Sequence, residues 1–561
     1  MIRIASRLAL TPACLLCGAW AGAQVPDAGR ALREAAPVQP PRPPATPAAL
    51  PLPAPSAPPA PAAPSSAQAS FVLTGVSFVG NTRFSSQTLQ ALMADQLGRR
   101  VTLAELQMLA ERVTQLYRES DYILTHTVVP AQDVSAGRVE FSVLEGRLGR
   151  VRVERIDDVR VREDLVRGMV ARLPTDRPLT RGELERAILM LSDTPGLQAQ
   201  TSLESGEQPG TYDLIIELKS APRVNLSVDL DNEGSRATGE YRIGASVRVN
   251  SPLGRGDNLD LRLFNSLGKG LSFGRVSYET PVGFSGWRAG AGFSHVRYAL
   301  GKDFAALDAY GSADVVDLTA TYPLLRSRTQ NLFAKAGLEY KQLRDHIGAV
   351  DLVSDKHTQD LNLGLVYERR DSSFGGGYTS ASLTLYAGRL DLRSPEDLAT
   401  DQAASGRHTD GRYLRAGYTI SRLQSLGARL SAYAALAGQW ADKNLDSADK
   451  IAVGGARAVR AYSSASGIGD EAQILNLELR WSLTPQASLS AFYDAGRVRT
   501  DHRPDAGVVV KHATLAGPGL GLYWTVANGA ALRASLAWPK RSVAGQDERS
   551  PRAYAQLVKM F

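Results

Sequence analysis

The 561-residue chain has two cysteines, Cys14 and Cys17, and none beyond them. That excludes disulfides and cysteine-based metal sites from all but its first residues. No window approaches the 18 or so consecutive apolar residues of a spanning helix. If the chain is in a membrane it is there as a closed barrel, because only helices and barrels satisfy every backbone group in lipid. The net charge of +7 is mild for this length and no Lys/Arg block stands out, so nucleic acid is not an expected partner. The seven histidines, His126, His295, His346, His357, His408, His502 and His512, lack the i, i+4 spacing of a zinc helix. No G-x-S-x-G elbow occurs, since "GFSG" around Ser285 is one residue short and sits in a turn. The expectation is a protein that is not an enzyme, with no cofactor and no metal.

What is present starts with "MIRIASRLALTPACLLCGAWAGAQ". Arg3 and Arg7, a short apolar run and Ala21-Gly22-Ala23 read as a secretory signal over 1–23, with the mature chain starting near Gln24. Thirteen of the 30 prolines lie between Pro37 and Pro64. Such density favours an extended tether, taken here as 37–69. It separates "PDAGRALREAA" from the rest, and Pro26, Ala31, Leu32 and Ala35 suggest a short helix within 24–36. A terminus without fixed structure is equally compatible with this composition.

Two similar modules follow, 70–148 and 149–222, each reading strand, helix, helix, strand, strand. Thr102 with Glu105, and Thr180 with Glu183, have the capping-box spacing, in which each side chain satisfies an orphan N–H of the first helical turn. In the first module Leu106, Leu109, Val113 and Leu116 then recur at helical period.

From 223 to 561 the period becomes two. Leu259, Leu261 and Leu263 alternate with Asn258, Asp260 and Arg262; Leu475, Leu477, Leu479 and Trp481 stand opposite Asn476, Glu478 and Arg480. Parity alone cannot separate a barrel from a soluble sandwich. The count decides: about sixteen segments, with short turns such as "SPLGRGDN" and "SLTPQA" alternating with longer loops such as Tyr298 to Tyr310 and Arg389 to Arg412. That is the pattern of an outer-membrane barrel, with Phe561 as the last outward residue. The expected fold is a β-rich membrane protein: a sixteen-stranded antiparallel transmembrane β-barrel preceded by two βααββ domains and a short N-terminal helix.

The segment "VGGARAVRAYSSASG", Val453 to Gly467, falls between the eleventh and twelfth strands and carries Arg457 and Arg460. In "SLSAFYDAGRVR", with Leu489, Ala491 and Tyr493 outward, period two turns Ser490, Phe492, Asp494 and Gly496 into the lumen. Guanidinium and carboxylate match as a two-pronged pair, so Arg460 on a loop that folds down could meet Asp494. "GPGLGLYW", Gly517 to Trp524, has glycines at period two, as suits close packing against a crowded lumen.

"VRAY" (Val459, Arg460, Ala461, Tyr462) resembles the VRG(Y/F) motif, and "FYDAG" (Phe492 to Gly496) the F-x-D-x-G motif, of two-partner secretion transporters, the TpsB proteins (FhaC/ShlB-like) of the outer-membrane insertase superfamily. The two modules resemble that family's POTRA domains, and "PDAGRALREAA" its N-terminal plug helix. The resemblance implies an outer-membrane pore with POTRA domains in the periplasm. It implies a loop-to-strand lock of Arg460 on Asp494, supported by Val459, Tyr462, Phe492 and Gly496. It also implies an unfolded exoprotein client, such as a filamentous adhesin, a haemolysin or a contact-dependent inhibition toxin, whose folding outside would drive export. Outer-membrane lipid, and the barrel assembly machinery during biogenesis, are the other implied partners. Ala461 departs from the family's glycine, and a methyl group there would tax any position needing positive φ. The rival readings are an outer-membrane assembly factor of the BamA/TamA type and a passive porin or uptake receptor.

Overall fold

The computed structural model describes residues 25–35 and 70–561, except 269, 505–511, 527–528 and 542–548. The expected signal at 1–23 and proline-rich tether at 37–69 lie outside the described residues. A short helix, α1 (Ala28–Ala35), starts after Pro26 rather than on it, with Asp27 accepting from the Arg30 N–H at 3.0 Å.

The first module contains β1 (Ser70–Val72), β2 (Gly75–Val79), α2 (Ser86–Ala91), β3 (Arg100–Thr102), α3 (Leu103–Glu119), β4 (His126–Val128) and β5 (Arg138–Leu144). Its sheet order is β2-β5-β4, and β1 pairs separately with β3. The single first strand read from the sequence is broken at Leu73 and Thr74, whose N–H groups donate to the carbonyls of Arg99 and Gly137. The strand expected after the second helix of this module is only three residues long, as β4, because Ile123 and Leu124 just before it turn away into the core of the second module. Both capping boxes form, around Thr102 and around Thr180. At the junction of the modules the buried Glu145 carboxylate accepts from the N–H groups of Thr82 and Arg83 (2.6 and 2.9 Å), from Tyr117 Oη (2.8 Å) and from Thr82 Oγ1. Burial pushes this carboxyl up, but the hydrogen bonds outweigh it and hold the group below its ordinary range.

The second module has β6 (Arg147–Arg155), α4 (Glu163–Val170), α5 (Arg181–Ser192), β7 (Leu197–Ser205) and β8 (Thr211–Ser220), in sheet order β6-β8-β7. It sits on the short-turn end of the barrel. Arg326 grips Asp193 with two hydrogen bonds of 2.7 and 2.8 Å, and Ser251 Oγ donates to the Pro195 carbonyl at 2.6 Å.

The barrel opens with β9 (Val224–Asp231), β10 (Arg242–Asn250), β11 (Asn258–Ser266), β12 (Leu271–Val282), β13 (Trp287–Ala299), β14 (Ala309–Arg326), β15 (Gln330–Ile347) and β16 (Leu352–Asp371). It continues with β17 (Gly377–Leu392), the loop helix α6 (Pro395–Gln402), β18 (Gly411–Ser425) and β19 (Leu430–Ala441). A small pair inside the next loop, β20 (Ile451–Ala452) and β21 (Ile468–Gly469), precedes β22 (Glu471–Ser482), β23 (Ala487–Arg499), β24 (His512–Val526), β25 (Ala530–Ala537) and β26 (Arg552–Met560). Without β20 and β21 these are sixteen strands, and β26 pairs with β9 to close them into an antiparallel ring.

Every second side chain points out. Leu261, Leu263, Leu338, Leu363, Leu385, Leu477 and Leu479 are exposed, whereas Asp229, Lys341, Asp360 and Asp494 are buried inside. Trp287 stacks on Tyr322 beside two short turns, and Trp481 and Trp524 are exposed beside two others. This makes an aromatic girdle at the membrane edge nearest the α/β modules. A strand of about 9 to 11 residues crosses a bilayer, so β14, β15 and β16, with 18, 18 and 20 residues, extend well past it.

Candidate functional site

Two segments occupy the lumen. Helix α1 lies inside it, burying Ala28, Ala31 and Ala35 against Phe264, Phe273, Val296, Tyr298 and Leu343. The loop between β19 and β22 folds in beside it. Its arms are tied by Val453 N–H to the Gly467 carbonyl (2.9 Å) and Gly454 N–H to the Ser466 carbonyl (3.0 Å), and Gly455 takes a φ of +123° that favours glycine.

At the loop tip Val459, Ala461 and Tyr462 are fully buried and Arg460 is 5% exposed. Arg460 Nε donates to Asp494 Oδ2 at 2.8 Å and Nη2 to Oδ1 at 2.9 Å, while its backbone N–H reaches Oδ2 at 3.1 Å. Nη1 donates to Glu478 at 3.2 Å, and the guanidinium carbon lies 3.3 Å from the centre of the Phe492 ring. Asn476 completes the set: its Nδ2 donates to both Asp494 Oδ1 and the Ala458 carbonyl, each at 2.8 Å. Asp494 is wholly buried, and these donors replace the water that it loses.

Packing follows the same geometry. A Cβ on Gly496 would lie 2.3 Å from Val453 Cγ1 and 3.1 Å from Val459 Cγ2, so this strand position has no room for a side chain beneath the loop. Phe492 fits because Gly519 leaves the wall open, where a Cβ would come within 2.1 Å of the ring. Ala461 is not among the residues with positive φ, so the expected tax on its methyl group does not arise. Its Cβ sits where Gly517 has none, 2.7 Å from the position a Cβ there would take. Tyr462 Oη donates to the Arg541 carbonyl at 2.8 Å, and its own carbonyl accepts from Tyr554 Oη at 2.8 Å.

The root of the loop carries adjacent opposite charges. Asp449 accepts from Lys341 (2.9 Å) and Tyr413 (2.8 Å) and pairs with Arg415 (3.2 Å), while Lys450 reaches Asp470 (3.0 Å), Asp501 (3.2 Å) and the Thr500 carbonyl (2.7 Å). Burial pushes the Asp449 carboxyl up, but Lys341 and Arg415 outweigh it and hold it well below the usual carboxylate range. Next to the root, α1 is fastened. Asp27 pairs with Lys356 (3.2 Å) and accepts from Ser447 Oγ; Lys356 also bonds Asp446 (2.8 Å), and Arg33 donates to the Lys450 carbonyl (2.6 Å). Burial raises the Asp27 carboxyl, yet Lys356 and the hydrogen bonds from Ser447 and the Arg30 N–H bring it down to about 2. Nothing local in the sequence pointed to the root pairs or to the α1 pairs. Asn476 and Glu478 were legible only as inward positions of β22.

Among the described residues, cavities remain around these segments. One of about 650 Å³ lies at the barrel mouth under the second module, lined by Gly196, Leu197, Asn225, Arg248, Asp260 and Arg288 among others. Two more, of about 990 and 590 Å³, lie in the lumen beside α1 and beneath the loop tip. Among the described residues no group of three or more His, Cys, Asp or Glu is placed to hold a metal ion.

Comparison with known proteins adds the following. The sequence model for "Haemolysin secretion/activation protein ShlB/FhaC/HecB" matches residues 210–524, and that for "POTRA domain, ShlB-type" matches 71–146. The chain is 27% identical over 488 residues to the heme/hemopexin transporter protein HuxB of Haemophilus influenzae, covering 84% of each. It is 23% identical over 430 residues to the outer membrane transporter CdiB of Escherichia coli, covering 74% of this chain and 69% of that one. The solved structure of CdiB from Escherichia coli has the same fold, with a TM-score of 0.70 at 18% identity, covering 89% of this chain and 92% of that one.

Proposed function

From the premise that this chain belongs to the haemolysin secretion/activation family ShlB/FhaC/HecB, and so is a two-partner secretion transporter of the outer membrane, we propose how its parts carry an exoprotein outward. The POTRA domains face the periplasm and the long loops face outside. An unfolded client pairs with an exposed strand edge, which recognises backbone and so makes little demand on sequence. The two modules differ in that edge. In the first, the edge strand that runs antiparallel to the central one is β4, three residues long; in the second it is β7, nine residues long, with Gln198, Gln200, Ser202 and Glu204 exposed.

The observation that carries the reading is where β7 begins. Gly196 and Leu197 line the mouth cavity together with Arg248, Asp260 and Arg288 of the barrel wall. A chain paired along β7 is thereby delivered to a polar vestibule that opens on the lumen. From there α1 must leave and the loop must yield, so the Arg460–Asp494 lock serves as the hinge point of the open state as well as a brace of the closed one. No nucleotide-binding motif is part of this scheme; folding of the client outside supplies the direction.

The test is co-expression with a candidate exoprotein, a large secreted protein drawn from the genes neighbouring this one. The exoprotein should appear outside cells that carry the chain and stay in the periplasm of cells that lack it. Gln198→Cys on β7 should cross-link to the client in transit, while Val128→Cys on β4 should not. Equal cross-linking from both would remove the distinction between the modules.

A further inference from the structure

The cavity of about 590 Å³ beneath the loop tip is lined by four arginines, Arg457, Arg460, Arg480 and Arg533, and among its described lining residues by one carboxylate, Glu478. Three of the four cations are matched: Arg460 with Asp494 (2.8 Å), Arg480 with Glu478 (3.0 Å) and Arg457 with Glu233 (3.4 Å). Arg533, on β25 opposite Tyr523 and Gln556, has no hydrogen bond and no carboxylate within ion-pair distance among the described residues. Its longer-range attraction to Glu233 and Glu478 is opposed by Arg460 and Arg457. Arg457 contributes an unspent donor, since its Nη1 is buried without a hydrogen-bond partner.

A half-buried cation left unpaired among like charges is costly, and a cleft lined by one sign of charge concentrates ions of the other. We propose that this cavity is an anion site for client carboxylates, in which Arg533 receives the Asp and Glu side chains of the extended exoprotein as it passes beneath the loop. A guanidinium presents two parallel N–H donors to a carboxylate, and Ser490, Ser535 and Gln556 on the same lining offer neutral hydrogen bonds to the chain between such residues. The volume is within the roughly 300 to 1,000 Å³ of ordinary ligand sites. The site lies on the lumen side of the mouth cavity, so this inference rests on the export reading, and its test is chosen to be independent of export.

Because the sequence has no cysteine beyond Cys17, a thiol introduced by Ser535→Cys in the full-length chain, with Cys14→Ser and Cys17→Ser beside it, reports on this cavity alone. Its modification is timed with a sulfonate-bearing and with a trimethylammonium-bearing thiosulfonate reagent. The anionic reagent should react faster by roughly tenfold, and Arg533→Gln in the same background should bring the two rates together, with Arg533→Lys keeping most of the difference. A ratio unchanged by Arg533→Gln would overturn the proposal. A Glu-rich peptide should protect the thiol where a Gln-rich peptide of equal length does not; equal protection would overturn the assignment to carboxylates. A chain that shows the ratio but exports nothing would keep the site and remove the export reading, and export without the ratio would do the reverse.

Discussion

At its tip the entering loop sets one arginine against Asp494, with Glu478 and Asn476 in support; at its root it divides two neighbouring charges, Asp449 and Lys450, between different walls. The tip depends on one carboxylate that accepts from three side-chain or backbone donors of Arg460 and from Asn476, on adjacent strands. The root shares its load, since Lys341 keeps Glu339 at 2.9 Å and Asp360 at 3.4 Å whatever happens to Asp449. Loss of Asp494 therefore leaves the buried Arg460 with Glu478 alone, which Arg480 also holds, whereas loss of one root partner redistributes contacts. The tip should respond as a switch and the root by degrees.

The largest effect expected is from Asp494→Ala. Arg460 would stay buried with Glu478 alone, and breaking such a pair from one side costs about 3 to 5 kcal/mol. Limited proteolysis within 453–467 should become fast while the barrel stays folded. Arg460→Met combined with Asp494→Leu should protect the loop better than Asp494→Ala does, because removing both charges leaves neither unpaired. A double variant as sensitive as the single one would mean that the tip is not held by this pair.

Asp449→Asn comes next, at about 1 to 3 kcal/mol for the donors it leaves short. Thermal unfolding of the barrel should shift less than with Asp494→Ala, and a shift as large would erase the distinction between tip and root.

The hold on α1 supplies a pH test. The Asp27 carboxyl is lowered by docking from 3.8 to about 2, so its contribution is complete above the free value and is lost as pH falls through the docked one. Conductance through planar bilayers should be higher below about pH 4 than at neutral pH. Asp27→Asn should raise conductance at all of these values, and a rise centred near neutrality would assign the hold to another group.

Smallest of all is Arg152→Ala. Its pair with Glu204 is exposed on both sides, at 47% and 58%, and is worth about 0 to 1 kcal/mol. Export and melting of the second module should not change measurably. A clear loss would show that surface charge there serves the client.

What could be read from the sequence follows the range of each interaction. Alternation in "ILNLELRW" and "SLSAFYDAGRVR" is set by the two-residue period of a strand, so parity separates the two faces of each strand, and the strand count that marks a barrel turns Asn476, Glu478, Phe492 and Asp494 inward. The capping boxes at Thr102 and Thr180 close within three residues and were equally plain. The first module's strands were less so, because Ile123 and Leu124 look like strand residues until the neighbouring module's core is there to receive them. Asp449 with Lys341, and Asp27 with Lys356, join residues 108 and 329 positions apart, and no local pattern marks them. Ala461 shows the same limit: neither its φ, which is not positive, nor the bare Gly517 across from its methyl group is marked in the local sequence.

Export itself is the most direct measure of the account. Cells making the candidate exoprotein, with either the unaltered chain or Asp494→Ala, would be compared for exoprotein outside the cell at equal amounts of folded barrel. The exoprotein should be outside with the unaltered chain and held in the periplasm with the variant. Export by Asp494→Ala at the unaltered rate would contradict a role for the lock in opening the path.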